Sequence, residues 1–206
     1  MNPLNSVKGA IATGFVLAIV ISLVLTGVVG VPKVGGAVSH GAVTIWLHVI
    51  SGVMWIGLLY YFNVVQIPGL AAAAADKGGP GGAGISKYIA PRALLWFRWA
   101  AVVTWVTGAV YLLGNAGFVD AFLLGTRSGN PYHVVIGVGA WLGTIMLFNV
   151  WVLIWPNQKK VLGLVPATDE EKAAARKTAM LASRTNFVLS VPMLMCMIGA
   201  HHWMPV

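Results

Sequence analysis

An all-α, polytopic membrane bundle of about five transmembrane helices, with its N-terminus cytoplasmic and its C-terminus periplasmic, is the fold class this sequence predicts. Three observations carry it. Hydrophobic residues make up 58% of the 206 and charged residues only 9%, too little polar surface to cover a water-soluble globule. Several apolar stretches are each long enough to cross a hydrocarbon core of about 30 Å, which takes roughly 20 residues at 1.5 Å each. The basic residues sort by side: of the 13 Lys and Arg, all but Lys33 and Arg127 fall in segments that this orientation makes cytoplasmic.

The predicted spans are 9–31, 41–66, 94–113, 133–155 and 184–202, within a single integral membrane domain covering 1–206. The first, "GAIATGFVLAIVISLVLTGVVGV", follows a lone Lys8 and is too long for the apolar core of a secretory signal, so it reads as a true span. Between the second and third, "GLAAAAADKGGPGGAGISKYIAP" reads as a cytoplasmic loop, flexible around its glycines. Between the third and fourth, "GNAGFVDAFLLGTRSGNPYH" holds a short apolar piece suited to the membrane interface. Before the fifth, Thr168 with Glu171 three residues on forms a capping-box pattern, which predicts an amphipathic helix running into the span. Pro192, lacking an N–H, should bend that span.

The net charge of +8 would suggest nucleic acid in a soluble protein, but here it is explained by cytoplasmic anchors. The expected partner is the lipid bilayer, in a bacterial inner (plasma) membrane, and no nucleic acid. Cys196 is the single cysteine and lies inside the last span, so the sequence has no disulfide framework, no CxxC zinc pair and no CxxCH for covalent haem. All five carboxylates, Asp76, Asp120, Asp169, Glu170 and Glu171, fall outside the spans. A proton relay or cation pathway normally needs one within the membrane, so transport is disfavoured.

All five histidines, His40, His48, His133, His201 and His202, fall towards the outer side. Asn63, Asn149 and Asn186 stand 15 or 16 residues from His48, His133 and His201, which is about 22 to 24 Å along a helix. Two polar layers thus recur at matching depths in three spans. The asparagines are expected to hydrogen-bond between helices. His40 and His133 fit an interfacial role, whereas His48 lies within a span, where an ionisable group is costly and points to function.

"WLHVISGVMWIG" sets Gly52 four residues and Trp55 seven residues after His48, on one helical face. A glycine one turn from a ligand leaves room for a flat macrocycle, and a tryptophan can line its edge. That pattern suits b-type haem held by two histidines from different spans: His48 with His201 or His202, or else His133. Copper is the other chemical reading, since Met193, Met195, Met197, Cys196 and Met204 are soft donors next to His201 and His202. Methionines spaced by two scatter around a helix, however, and packing or lipid contact explains them as well.

The segments "WLHVISGVMWIGLLYYFNVVQIP", "PRALLWFRWAAVVTWVTG", "GTIMLFNVWVLIWPNQKK" and "SRTNFVLSVPMLMCMIGAHH" resemble the membrane domain of the bacterial cytochrome-c-linked urate oxidases, found at the N-terminus of those proteins. The likeness runs over about 45–202. A more distant one extends to small histidine-bearing membrane haem proteins, such as the bacterial protoporphyrinogen oxidase, and to copper-resistance membrane proteins. The resemblance implies a membrane-embedded oxidation coupled to cytochrome c on the periplasmic side, with the family's motif histidines at His48, His201 and His202. Those enzymes carry a C-terminal cytochrome c domain with CxxCH, which this sequence does not contain, and their membrane part is longer. The electron acceptor expected here is therefore a separate periplasmic cytochrome c.

Three functional classes follow: a b-haem electron-transfer protein, a non-catalytic accessory subunit of a larger respiratory or photosynthetic membrane complex, and a copper-handling protein. The sequence leaves open whether the chain is an enzyme and which substrate, urate included, it would oxidise.

Overall fold

The structure, a computed structural model, describes residues 3, 6–28 and 40–202. Residues 29–39, which hold the end of the first predicted span and Lys33, lie outside the described residues, as does Met204. The chain divides into two compact units, Met1–Val43 and Thr44–Val206. All regular structure among the described residues is helical.

In the first unit, α1 covers Val7–Val28. Its start is held by the Ser6 hydroxyl, which accepts from the Gly9 backbone N–H at 3.0 Å. α1 overlaps the first predicted span over 9–28, with Lys8–Ile21 apolar, and the rest of that span lies outside the described residues.

Four longer helices match the other four predicted spans: α2 (His40–Ala75), α3 (Ile85–Gly114), α5 (Pro131–Val161) and α6 (Asp169–His202). The short α4 is Phe118–Phe122. By length and composition these four are the candidate membrane-crossing helices among the described residues. Their outward faces carry Val53, Val64, Trp96, Leu113, Phe148, Val188 and Val191, all more than half exposed. Such a surface marks a membrane protein and is compatible with contact to a lipid bilayer.

Two boundaries differ from expectation. The segment read as a loop is helical at both ends, and only its glycine-rich middle, 76–82, lies outside helix. Alanine has the highest helix propensity of any residue type, so the alanine run after Leu70 prolongs α2 to Ala75. Further on, Pro91 sits in the first turn of an α-helical stretch, which is where proline's missing donor costs least. As expected, the helix begun before the fifth span runs on into it, giving one helix of 34 residues that continues through Pro192 without interruption. Its capping box forms as expected: the Thr168 N–H donates to Glu171 Oε2 at 2.9 Å and the Glu171 N–H to Thr168 Oγ1 at 3.2 Å.

Wider π-type turns occur at Tyr61–Gln66, Ile85–Ile89, Leu112–Ala116 and Asn149–Ile154. All but Leu112–Ala116 end two residues before a proline: Pro68, Pro91 and Pro156. A proline cannot donate and its ring crowds the carbonyl four residues back, so the turn ahead of it opens.

The second unit packs as a ring of four helices in the order α2, α3, α5, α6. Phe62 meets Phe97 edge-on between α2 and α3. Between α3 and α5, Trp99 meets Trp151, and the Trp105 indole donates to Thr144 Oγ1 at 2.8 Å. The Arg98 guanidinium stacks 3.8 Å from the Trp155 ring centroid, a cation–π contact that shields its charge among apolar neighbours. α5 and α6 approach closely because small residues face each other: Gly139 on one helix, Ala182, Ser183, Gly199 and Ala200 on the other. A Cβ at Gly139 would stand 3.2 Å from Cys196 Cβ.

The asparagine layer ties the ring at one end. The Asn149 amide donates to Asn186 Oδ1 at 2.8 Å, and the Asn186 amide donates to the Met146 carbonyl at 2.9 Å. Asn63 donates to Ser183 Oγ at 2.9 Å and to the Leu59 carbonyl at 2.9 Å. All three asparagines thus take part in bonds between helices, as expected.

Candidate functional site

At the opposite end from the asparagines, the helices of the second unit part to leave a cavity of about 510 Å³, lined almost wholly by apolar atoms. Its volume falls within the usual range of roughly 300 to 1,000 Å³ for small-molecule and cofactor sites. α2 supplies His48, Gly52, Trp55 and Tyr60, α3 supplies Thr104, Trp105, Gly108 and Tyr111, α5 supplies Gly143, and α6 supplies Met193, Met197 and His201.

His48 is held by a bond that the sequence did not announce. Its Nδ1 lies 2.7 Å from the Thr104 carbonyl oxygen of α3. A carbonyl can only accept, so in the neutral ring Nδ1 carries the hydrogen and Nε2 keeps its lone pair. This is the arrangement in which an imidazole acts as a ligand with its orientation fixed from behind. The ring reaches Thr104 because Gly108 has no side chain: a Cβ there would lie 2.8 Å from His48 Cε1 and 2.9 Å from Nδ1.

Gly52 also lines the cavity, but the space next to it is partly filled by the Thr104 methyl, 3.7 Å from where a Cβ would stand. Fully open space lies instead at Gly143, where an added Cβ would meet nothing within 4 Å. Trp55 forms a wall of the cavity and is 2% exposed, and its indole N–H is buried with no hydrogen-bond partner.

The cavity therefore brings together His48, Gly52, Trp55 and His201 of the residues singled out from the sequence. It does not gather His133 or His202. His133 lies in the first turn of α5, with its Nδ1 2.6 Å from Ser128 Oγ. His202 is exposed, its ring centroid 6.5 Å from that of His201. His201 itself packs against Tyr132, with ring centroids 4.9 Å apart and the planes inclined at 53°. Of the sulfur side chains, Met193 and Met197 line the cavity, Met195 is exposed, and Cys196 is buried. Among the described residues, no three or more His, Cys, Asp or Glu side chains cluster in a way that could hold a metal ion. A three-ligand site of the zinc type is thereby absent from the described residues, whereas haem needs only two axial ligands from the protein.

The elements that sequence reasoning missed are Thr104, Gly108 and Gly143. Thr104 and Gly108 stand at i and i+4 on α3, like His48 and Gly52 on α2, and that shared spacing is the signal that could have paired the two helices.

The segment that ends in the paired histidines carries the family signal. Residues 127–206 match the urate oxidase N-terminal family. The urate oxidase N-terminal match takes in α5 and α6 whole, with the Asn149–Asn186 link, Gly143, Met193, Met197, His133, His201 and His202. It supports the resemblance read from "NVWVLIWPNQKK" and from the "SRTN" to "AHH" segment. His48, Thr104 and Gly108 lie on the helices outside the matched residues. No curated protein matches the chain, and no solved structure does.

Proposed function

We propose that this chain is a bacterial inner-membrane b-haem electron-transfer protein of the urate oxidase membrane-domain type. His48 and His201 would be the axial ligands, and a separate periplasmic cytochrome c the redox partner. The observation that carries the reading is the apolar cavity with one histidine from α2 and one from α6, the first already anchored through Nδ1 to a carbonyl. The donor set fits the group: two imidazoles from different helices, apolar helix walls and open space at Gly143. Bound there, haem would supply one-electron chemistry at its iron. The chain's own residues orient the imidazole, keep water from the pocket and set its polarity.

The sidedness of the charges supports placing the histidine end on the periplasmic side, within reach of a soluble cytochrome c.

An absorption spectrum of the purified protein tests the reading. A Soret band and a sharp reduced α-band are expected, lost in His48→Ala and His201→Ala and kept in His40→Ala, His133→Ala and His202→Ala. Full haem content in His48→Ala would overturn the ligand assignment, and a colourless wild type would overturn the function.

One observation favours a second reading. Met193 and Met197 line the same cavity as the two histidines, a soft donor set suited to Cu(I). Stoichiometric copper in a haem-free preparation, lost in Met193→Leu, would select it.

A further inference from the structure

A second concavity lies along the seam between α3 and α5, away from the histidines. It is an open groove of about 470 Å³, almost wholly apolar, lined by Val102, Trp105, Thr144, Leu147, Phe148 and Trp151. Trp105 is the one residue it shares with the cavity that holds His48. At one end the seam is tied by the Trp105 indole, which donates to Thr144 Oγ1 at 2.8 Å. Towards the other, Trp99 meets Trp151 edge-on, and next to that pair the Arg98 guanidinium lies over the Trp155 ring. Trp105 and Arg98 are 7 residues apart on α3, and Thr144 and Trp155 are 11 apart on α5. The groove and its cationic head therefore extend about 10 to 16 Å along the helices. Half of a hydrocarbon core of about 30 Å is about 15 Å, so the groove has the length of one leaflet.

The head of the groove carries charge without a counter-ion. Arg98 stands within the predicted span 94–113 and is partly exposed, and no carboxylate among the described residues lies within ion-pair distance of it. A cation at such a position is costly unless it is paired. The Trp155 ring attracts the guanidinium but offers no lone pair to its N–H donors. Lys159 adds a second positive charge one turn beyond Trp155. Trp96 and Trp99, both more than half exposed, flank Arg98 in the sequence. Exposed tryptophans gather at the level of lipid headgroups, where phosphates are within reach of a guanidinium that pairs with them through two N–H groups. Cationic pockets between membrane helices on the side that the charges make cytoplasmic suit anionic headgroups.

We infer that this groove binds one anionic phospholipid, its phosphate on Arg98 and Lys159 and one acyl chain laid between α3 and α5 over Val102, Leu147 and Phe148. The lipid would bridge the two helices along the seam. The inference goes beyond the haem reading, since neither the histidines nor their cavity take part.

The test titrates the full chain in detergent micelles with dioleoylphosphatidylglycerol or dioleoylphosphatidylcholine and counts bound lipid by native mass spectrometry. Saturable binding of one phosphatidylglycerol is expected, at least about fivefold tighter than phosphatidylcholine, whose headgroup carries its own cation. Arg98→Gln should remove that preference. Arg92→Gln should keep it, because the exposed Arg92 guanidinium donates to the Tyr88 carbonyl of its own helix at 2.6 Å. Val102→Trp leaves the guanidinium in place and fills the groove, so it should weaken both lipids. Inorganic phosphate in excess should not displace the lipid. Equal affinity for the two lipids would overturn the inference, as would displacement by inorganic phosphate. Equal loss of preference in the two arginine variants would also overturn it, leaving a general attraction of basic surface for anionic lipid. Undiminished binding in Val102→Trp, folded by helical circular dichroism, would overturn the chain's place in the groove and the inference with it.

Discussion

Asn186→Leu should weaken the bundle more than any other single change in the asparagine layer. Asn186 is fully buried and forms two bonds, accepting from the Asn149 amide and donating to the Met146 carbonyl. Interhelical hydrogen bonds in membrane proteins average about 0.6 kcal/mol each, so losing the two costs about 1 kcal/mol. More is lost at the Asn149 amide, which keeps its donor but loses its acceptor in a buried site, at about 1 to 3 kcal/mol. Leucine keeps the branching of asparagine but is bulkier, so no cavity opens and any overpacking only adds to the loss. The expected total is at least about 2 to 4 kcal/mol, read from reversible unfolding in mixed micelles followed by helical circular dichroism. A double-mutant cycle with Asn149→Leu isolates the reason. Removing both partners strands only the weaker Met146 carbonyl, so the double variant should be more stable than the sum of the singles by about 1 kcal/mol or more. Additivity to within about 0.5 kcal/mol would refute the reasoning, because it would mean that the two side chains act independently.

Three other perturbations have definite outcomes. In Gly108→Ala the new methyl would stand 2.8 Å from the His48 ring, where carbon atoms prefer roughly 3.5 to 4.0 Å, so the ring must retreat by about 1 Å and lose its bond to Thr104. On the haem reading proposed above, a drop of at least about tenfold in haem affinity, read from the Soret band, should follow, in line with other losses of an outer-sphere partner. Gly137→Ala drives a methyl into the Ala121 carbonyl, which should cost about 1 to 3 kcal/mol and free α4 from α5, seen as faster amide exchange over Phe118–Phe122. Thr168→Ala removes one half of the capping box and should destabilise the start of α6 by about 1 kcal/mol, detected as fraying there in amide exchange while His48 and the cavity remain unchanged.

Four of the five spans and the capping box were legible because each depends on local chemistry. A run of apolar residues has one stable place, and Thr168 with Glu171 needs nothing beyond its own turn. The ends of the connector between α2 and α3 were misread for a physical reason: glycines suggested flexibility, while the adjacent alanines favour helix over any loop. The site was legible in part. His48 stood out as an ionisable group inside a span, and His201 through its level in the membrane. Thr104 was invisible because its contribution is a backbone carbonyl, identical in every residue, and becomes a partner for His48 only when α3 lies against α2. The same holds for the methionines. Spacing alone scattered them, and packing put Met193 and Met197 on the cavity and Met195 outside it.

The sequence by itself determined that this is a helical membrane protein, where most of its helices run, and which side chains are too costly to bury without a reason. Those conclusions rest on transfer free energies and on contacts within a few residues of one another. Which histidines face a common space, which glycine admits the imidazole and which indoles are left without an acceptor were decided only when four helices packed. Each depends on the approach of residues far apart in the chain, as with His48 and Thr104, 56 positions apart, and no local pattern encodes these distances.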